Sequence, residues 1–400
     1  MAKLLTLDDL DLADLSGKRV FVRVDFNVPI SDDHEVLDAT RLEESVPTIR
    51  ELAAAGGIVI LASHLGRPKG KRDPRYSLRP VVAELDRLLG EGVRFAPDCV
   101  GEEAETVIRE MDPGEIVLLE NLRFHAEEER NEPFFTDQLA ALAEVYVDDA
   151  FGSAHRAHAS VVGVPERLER KAAGRLLAHE VAALGRLLGE PERPFAALLG
   201  GAKIEGKIDT LENLLPRLDV LLLGGGMANT FLAAQGYGLG ASLYEPDRVD
   251  LARQILDRAK SRGTAVLLPL DLVVTDDLEN PQRTATVAAN QVPEGMKAVD
   301  IGPESRQALA AAIGRARTLF WNGPLGVFEK PPFDAGTRAV AQALAACPGF
   351  SVIGGGETVA AANQAGVADR IGHVSTGGGA SLEFLAGKKL PGVAVLEQVC

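Results

Sequence analysis

The sequence predicts an α/β protein made of two doubly wound parallel-sheet domains joined by a hinge helix. Three observations carry that expectation. Short apolar runs alternate with amphipathic helical stretches almost from end to end, glycines cluster just after the runs, and 400 residues exceed what one hydrophobic core uses. Alternation of this kind places helices on both faces of a parallel sheet, so ligands are expected beyond the carboxyl ends of the strands.

The candidate strands, in order, are Arg19–Val24, Ile58–Ala62, Ile116–Leu119, Val145–Val147, Phe195–Leu199, Val220–Leu223, Ala265–Leu268, Thr318–Trp321 and Phe350–Ile353. Each is a short run rich in Val, Ile, Leu or Phe. Helical periodicity falls between them at Thr40–Ala55, Leu78–Leu89, Thr136–Leu142, Leu211–Leu218, Val249–Arg262 and Thr337–Ala346. Near the midpoint the rhythm changes. Leu176–Leu188 reads as one long helix, closed by Gly189-Glu190-Pro191-Glu192-Arg193-Pro194. The first domain is therefore set at residues 1–175, the connecting helix at 176–190 and the second domain at 191–389. The apolar tail 390–400 is expected to pack back on the first domain.

Composition bounds the function. No run of about 18 apolar residues exists to span a membrane, and Met1-Ala2-Lys3-Leu4 does not open a secretory signal. Cys99, Cys347 and Cys400 are odd in number and far apart, which suits a reduced compartment and neither a disulfide framework nor a zinc site. A net charge of −16 disfavours a nucleic-acid binder. A cytoplasmic enzyme acting on small molecules is expected.

Against that acidic background the first domain delivers basic groups to its strand ends. The loops are Asp25-Phe26-Asn27-Val28-Pro29, Ser63-His64-Leu65-Gly66-Arg67, Glu120-Asn121-Leu122-Arg123-Phe124-His125 and the stretch from Asp148 to His158, with Arg41 opening a helix. Arginines converging from several strand ends suit a small, highly anionic ligand, because each guanidinium grips an oxyanion bidentately. A structural role is at least as good an account of His125, His155 and His158. Asp148 and Asp149 suit either a metal or the neighbouring arginines.

The second half repeats strand, glycine turn, helix at Leu198–Gly201, Gly224-Gly225-Gly226, Gly354-Gly355-Gly356-Glu357-Thr358 and Gly377-Gly378-Gly379. Such turns let the backbone approach an anion and present helix N–H groups to it. Gly201–Ile208 imitates a P-loop but has Ile208 where Ser or Thr would hold magnesium, and the glycine runs lack the last glycine of a dinucleotide fingerprint. Lys203 and Lys207, four apart, would share one helix face and repel unless an anion lies between them. A polyphosphate is the expected ligand.

Val24-Asp25-Phe26-Asn27-Val28-Pro29, Ser63-His64-Leu65-Gly66-Arg67-Pro68, Leu119-Glu120-Asn121-Leu122-Arg123-Phe124, Gly200-Gly201-Ala202-Lys203, Trp321-Asn322-Gly323-Pro324 and Ser375-Thr376-Gly377-Gly378-Gly379-Ala380 resemble the phosphoglycerate kinase family. They stand in that family's order over nearly the whole chain. The resemblance implies a cytoplasmic, hinge-bending monomer of two Rossmann-like domains, acting in glycolysis without nucleic-acid or membrane partners. It places 3-phosphoglycerate or 1,3-bisphosphoglycerate at Asp25, Phe26, Asn27, Arg41, His64, Leu65, Gly66, Arg67, Arg123 and Arg156. It places ADP or ATP, with Mg2+, at Lys203, Lys207, Asn322, Glu329, Gly355, Gly356, Glu357 and Thr358. Glu329 would meet the ribose and Thr358 the phosphates, and Glu357 would be the metal ligand where the family usually carries Asp. Ala298 stands where the family tends to have Gly. Arg41, Lys203, Lys207, Gly355 and Gly356 would carry the transfer.

The chemistry agrees. A carboxylate is already ionised at neutral pH, so phosphoryl transfer to it needs positive charge and positioning rather than a strong general base. A non-catalytic phospholigand binder and a different carboxylate kinase are the competing readings. A scaffold is least favoured, because glycine turns at so many strand ends offer no obvious packing benefit.

Overall fold

The computed structural model describes residues 3–90 and 92–398. The chain divides into two compact units, one of residues 1–182 with 389–400 and one of residues 183–388. The first unit holds a six-stranded, wholly parallel sheet in the order Val93–Ala96, Ile116–Leu119, Ile58–Ala62, Arg19–Arg23, Val145–Asp148, Arg170–Ala173. The second holds another, in the order Ala265–Leu267, Val220–Leu223, Phe195–Leu199, Thr318–Asn322, Phe350–Ile353, His373–Val374. Central strands such as Ile58–Ala62 and Phe195–Leu199 are buried at every residue. That is why they read as continuous apolar runs rather than alternating ones. Each aliphatic side chain so buried contributes roughly 1.5–3 kcal/mol.

All nine candidate strands appear as strands of these sheets. The sequence reading missed three edge strands. Val93–Ala96 is half-buried at Arg94 and Phe95, Arg170–Ala173 opens with two charged residues, and His373–Val374 is two residues long. Edge strands are covered on fewer sides, so their sequences need not be apolar. Also unread was a three-stranded antiparallel sheet in the second unit, in the order Thr284–Ala288, Asp271–Thr275, Lys297–Ile301. Thr284–Ala288 is almost wholly exposed and made of Thr, Ala and Val, which gives no hydrophobic run to detect.

The helix Arg175–Leu188 carries the chain out of the first unit. Its start is pinned there. Asp149 Oδ1 accepts the Leu176 and Leu177 amides at 2.9 and 3.3 Å, Thr48 Oγ1 accepts the Arg175 amide at 2.8 Å, and Arg175 pairs with Glu51 at 2.6 Å and with Asp8 at 2.8 Å. The chain re-enters the first unit at its end, where Glu397–Gln398 pairs antiparallel with Lys3–Leu4 and Leu396 O accepts the Leu5 amide at 3.0 Å. Cys400 lies outside the described residues.

The helix start generates a test. Asp149→Ala frees two amides in a buried setting and should lower stability by about 1–2 kcal/mol, the usual cost of a lost helix cap. Thermal denaturation of the variant beside the wild type measures it, and an unchanged midpoint would mean that the carboxylate is not the cap.

Candidate functional site: a basic pocket and a nucleotide-sized cavity

In a parallel sheet every strand delivers its carboxyl end to the same edge. In the first unit that edge gathers the loops after Arg19–Arg23, Ile58–Ala62, Ile116–Leu119 and Val145–Asp148. Hydrogen bonds lace them together. The Phe26 amide donates to Ser63 Oγ at 2.8 Å, the Gly66 amide to Asn27 Oδ1 at 2.9 Å and the Leu65 amide to Asn121 Oδ1 at 3.2 Å. Phe26 and Leu65 are buried beneath the loops. Asp25 accepts Arg41 Nη1 at 2.6 Å and the Asn27 amide at 3.2 Å, so it orients both. Arg123 is nearly buried and donates from Nη1 to Gly66 O at 2.8 Å. Burial and the neighbouring Arg156 bring its pKa to about 10. Arg156 is half-buried, its Nε on His155 Nε2 at 3.2 Å, and Arg67 is exposed.

His64 lies at the centre of this charge. Burial first, then Arg23, Arg123, Arg156 and Arg41, hold its pKa well below the usual histidine value, so the ring is neutral. Its Nδ1 lies 3.1 Å from Arg23 Nη2. A guanidinium only donates, so Nδ1 accepts and the ring carries its proton on Nε2. Arg23 is the residue the sequence reading missed. The signal was an arginine at the carboxyl end of the apolar run Val20-Phe21-Val22, where Arg23 is 1% exposed. His158, held to about 3 by burial and then by Arg123, Arg23 and Arg156, is also neutral.

Among the described residues neither Asp148 nor Asp149 pairs directly with an arginine: Asp148 accepts the Ala150 amide at 3.0 Å and Asp149 the amides at the start of the helix Arg175–Leu188. Both are buried, and desolvation raises each to about 7. Among the described residues one group of metal-ligand type lies together: Asp98, Cys99 and His125. Its members already satisfy one another. His125 Nε2 and Asp98 Oδ1 are 2.7 Å apart, Arg72 holds the other carboxylate oxygen at 2.9 Å, and burial pushes the Cys99 thiol well up.

The second unit carries a cavity of about 600 Å³ along the strand ends, within the usual range for small-molecule sites. Gly201, Gly225, Gly226 and Pro324 line it from the parallel sheet. Leu272, Ala298, Val299 and Ile301 line it from the small antiparallel sheet, and Glu329 and Glu357 are also on its wall. The antiparallel sheet is thus what turns an open strand edge into a cavity, and that is how its absence from the sequence reading matters. Asn322, buried at the end of its strand, donates from Nδ2 to Gly354 O at 2.6 Å, and the Gly323 amide donates to Thr358 Oγ1 at 2.7 Å. Thr358 therefore ties two strand-end turns together. Glu357 is exposed in the first turn of the helix Gly356–Gln364.

Two expectations are corrected. Lys203 and Lys207 do not share a helix face, because the helix begins only at Ile208 after a 3-10 turn over Glu205–Lys207. Lys203 is exposed before it, whereas Lys207 turns inward, its Nζ donating to Gly200 O and, at 3.2 Å, to Asn322 O. Nor are the glycine turns without packing benefit. A Cβ on Gly200 would overlap the Pro324 carbonyl oxygen, and one on Gly224 the Leu325 side chain. The turn at Gly355-Gly356 differs. Gly355 has φ +92°, a Cβ on it would press on the Asn322 amide, and Gly356 has open space beside it. Some turns pack against each other; this one faces room.

An anion pocket at one parallel sheet and a nucleotide-sized cavity at another define a two-domain α/β protein of phosphoryl chemistry. Comparison narrows the class. The family model for phosphoglycerate kinase matches residues 7–388. The chain is 56% identical over 392 residues to the phosphoglycerate kinase of Desulforudis audaxviator, covering 98% of both chains. It is 54% identical to that of Moorella thermoacetica over the full length of both. The structure of phosphoglycerate kinase from Coxiella burnetii superposes with a TM-score of 0.90 at 39% identity, covering 98% of this chain and 99% of that one. The chain belongs to the phosphoglycerate kinase family.

Desolvation lowers Lys207 to about 8, with Glu357 acting weakly against the shift. Between about 8 and the ordinary 10.5 the unfolded chain binds a proton that the folded chain has released. This site's contribution to stability therefore rises with pH across that window. Lys207 should titrate with a midpoint near pH 8 in the ligand-free protein, and higher once ATP is bound. NMR of its Nζ-adjacent carbon, assigned with Lys207→Arg, reads both. A ligand-free midpoint at the ordinary value would refute the buried placement.

Proposed function

We propose that the chain catalyses reversible phosphoryl transfer from the acyl phosphate of 1,3-bisphosphoglycerate to ADP, giving 3-phosphoglycerate and ATP, as a cytoplasmic monomer of glycolysis. The single observation that carries this reading is the pairing of ligand chemistries. One unit presents a dense, desolvated cationic pocket with a neutral histidine and, among the described residues, no group poised as a strong base. The other presents an apolar-walled cavity that ends at an open glycine turn.

The phosphoglycerate is held at Asp25, Asn27, Arg41, His64, Arg67, Arg123 and Arg156. Asp25 holds Arg41 at 2.6 Å, which fixes the direction of its guanidinium before substrate arrives. His64 contributes an Nε2–H donor to an anionic ligand without adding charge. The nucleoside occupies the cavity with its ribose near Glu329. The phosphates run toward Lys203, Lys207, Asn322 and the Gly355–Thr358 turn, whose free helix N–H groups favour negative charge. Lys207 is withdrawn onto two carbonyls, and a polyphosphate nearby favours its charged form.

Glu357, exposed on the cavity wall at that helix start, fits a magnesium ion, which takes one or two carboxylates and draws its other ligands from phosphates and water. Magnesium bound there would neutralise charge on the phosphate oxygens. Transfer itself needs the two oxygens in line across the phosphorus with water excluded. Arg41, Lys203 and Lys207, with the Gly355 and Gly356 amides, then neutralise the equatorial oxygens of the transferring group.

Magnesium-dependent ATP consumption with 3-phosphoglycerate, coupled to reduction of the acyl phosphate, tests this reading directly. Turnover that vanishes without 3-phosphoglycerate is expected. Binding of both ligands without turnover would favour a non-catalytic binder instead. Lys203→Ala should lower kcat by roughly 100- to 1000-fold, in line with loss of one transition-state donor, while ATP binding weakens far less. Equal losses in both would remove Lys203 from the transition state.

A further inference from the structure

Beneath the anion pocket lies a chain of buried polar groups that no step above uses. Glu128, on the short helix Ala126–Arg130, and Ser160, on the π-helical turn Ala159–Gly163, are both wholly buried. Glu128 Oε1 accepts Ser160 Oγ at 2.6 Å and Oε2 accepts the Ser160 amide at 3.0 Å. Tyr146, itself buried in the sheet, donates its hydroxyl to Ser160 O at 2.8 Å and fixes the turn from the other side. With its proton committed to Glu128, Ser160 Oγ turns its lone pairs toward Arg23 Nε, 2.9 Å away. Arg23 in turn meets His64 Nδ1 through Nη2, which also reaches Ser153 Oγ at 3.4 Å.

The chain has one direction. Burial raises the Glu128 carboxyl above its ordinary value, while Arg23 and the two Ser160 hydrogen bonds favour its charged form. Ionised, the carboxylate only accepts and the guanidinium only donates, so every proton in Arg23–Ser160–Glu128 then has a determined place. Taking an arginine and a glutamate out of water is costly, and apolar residues of similar volume often serve stability as well or better. Stability alone is therefore a weak reason for the arrangement. Its outer end is the ring nitrogen that decides which face of His64 can donate. The other groups around Glu128 are Arg123, whose charge it feels, and neutral His158, whose Nδ1 is 3.9 Å away.

We propose that Glu128 and Ser160 are positioning residues of the anion pocket: through Arg23 they hold His64 as the Nε2–H tautomer, set to donate to the phosphoglycerate. The inference rests on the ligand assigned to this pocket above, but the tautomer can be read without any ligand.

Ser160→Ala removes the bridging hydroxyl and leaves Arg23 Nε without its acceptor. In 15N-histidine spectra of the ligand-free protein, wild-type His64 should show a protonated Nε2 and a bare Nδ1, and the variant a shift of both signals toward a tautomer mixture. The KM for 3-phosphoglycerate should rise roughly tenfold, the scale of one charge-assisted hydrogen bond lost, with kcat and the KM for ATP within about twofold. Glu128→Gln, which keeps the shape and removes the charge, should move the same signals the same way and serves if Ser160→Ala does not fold. Unchanged His64 signals in the folded variant would overturn the proposal. So would a shifted tautomer with an unchanged KM for 3-phosphoglycerate, or a parallel rise in both KM values. Failure of the wild type to turn over 3-phosphoglycerate would instead sink the functional reading, leaving the tautomer to be decided by the spectra.

Discussion

Charge taken out of water governs the first unit more than any other constraint. Arg23 is 1% exposed, Arg123 4%, and His64 6%. Ionised groups in such places survive only if each donor has an acceptor or a ligand supplies one. The loops around the sheet edge follow from that need. Gly66 O is turned toward Arg123, Ser160 toward Arg23, and Asp25 toward Arg41. Desolvation also keeps His64 and His158 neutral, since a further positive charge among the arginines would be repelled. A pocket built this way is rich in positive charge, and its arginines are held by protein acceptors before any ligand arrives. That suits a trianionic or tetraanionic ligand, whose own hydration must be replaced by fixed donors.

The second unit solves a related problem with backbone. Its strand ends lie so close that Gly200 is packed against the Pro324 carbonyl and Gly224 against Leu325. Close packing of turns keeps the strand ends fixed, and it uses most of the glycines the sequence shows there. What remains for a ligand is the turn after Phe350–Ile353, where Gly356 has open space beside it. Lys207 belongs to the packed part as much as to the open one. Its ammonium sits on the Gly200 and Asn322 carbonyls and loses water by doing so. It is therefore a cation held back by the turns, whereas Lys203 stands out from them.

The strand runs and the loops that follow them were legible because both sheets are parallel and buried on two faces, which writes each central strand as an uninterrupted apolar run. The basic loops were legible because arginine is conspicuous in a chain of net charge −16. Where the reading failed, the physics was non-local. Thr284–Ala288 is a strand only because Asp271–Thr275 lies beside it, and an exposed edge strand carries no apolar signature. The spacing of Lys203 and Lys207 suggested one helix face, but Gly201 at φ +92° and the 3-10 turn delay the helix until Ile208. Glu128 sits within the run Glu127-Glu128-Glu129. Nothing in that run distinguishes the residue that is wholly buried from its neighbours, because its partner Ser160 comes from 32 residues away.

The two units thus treat negative charge in opposite ways, and the reaction assigned to the chain explains why both are needed. A small phosphorylated acid offers several oxyanions at fixed spacing, so rigid guanidinium forks set by buried partners can match it. A nucleotide offers an apolar base at one end and a mobile polyphosphate at the other. Apolar walls such as Leu272, Val299 and Ile301 suit the base, and an open turn with free amides suits phosphates that must shift as the bond passes between oxygens. In the proposed reaction Arg41, the two lysines and the Gly355 and Gly356 amides share the charge at successive points of the transfer path, which is the condition for a transfer that runs in both directions.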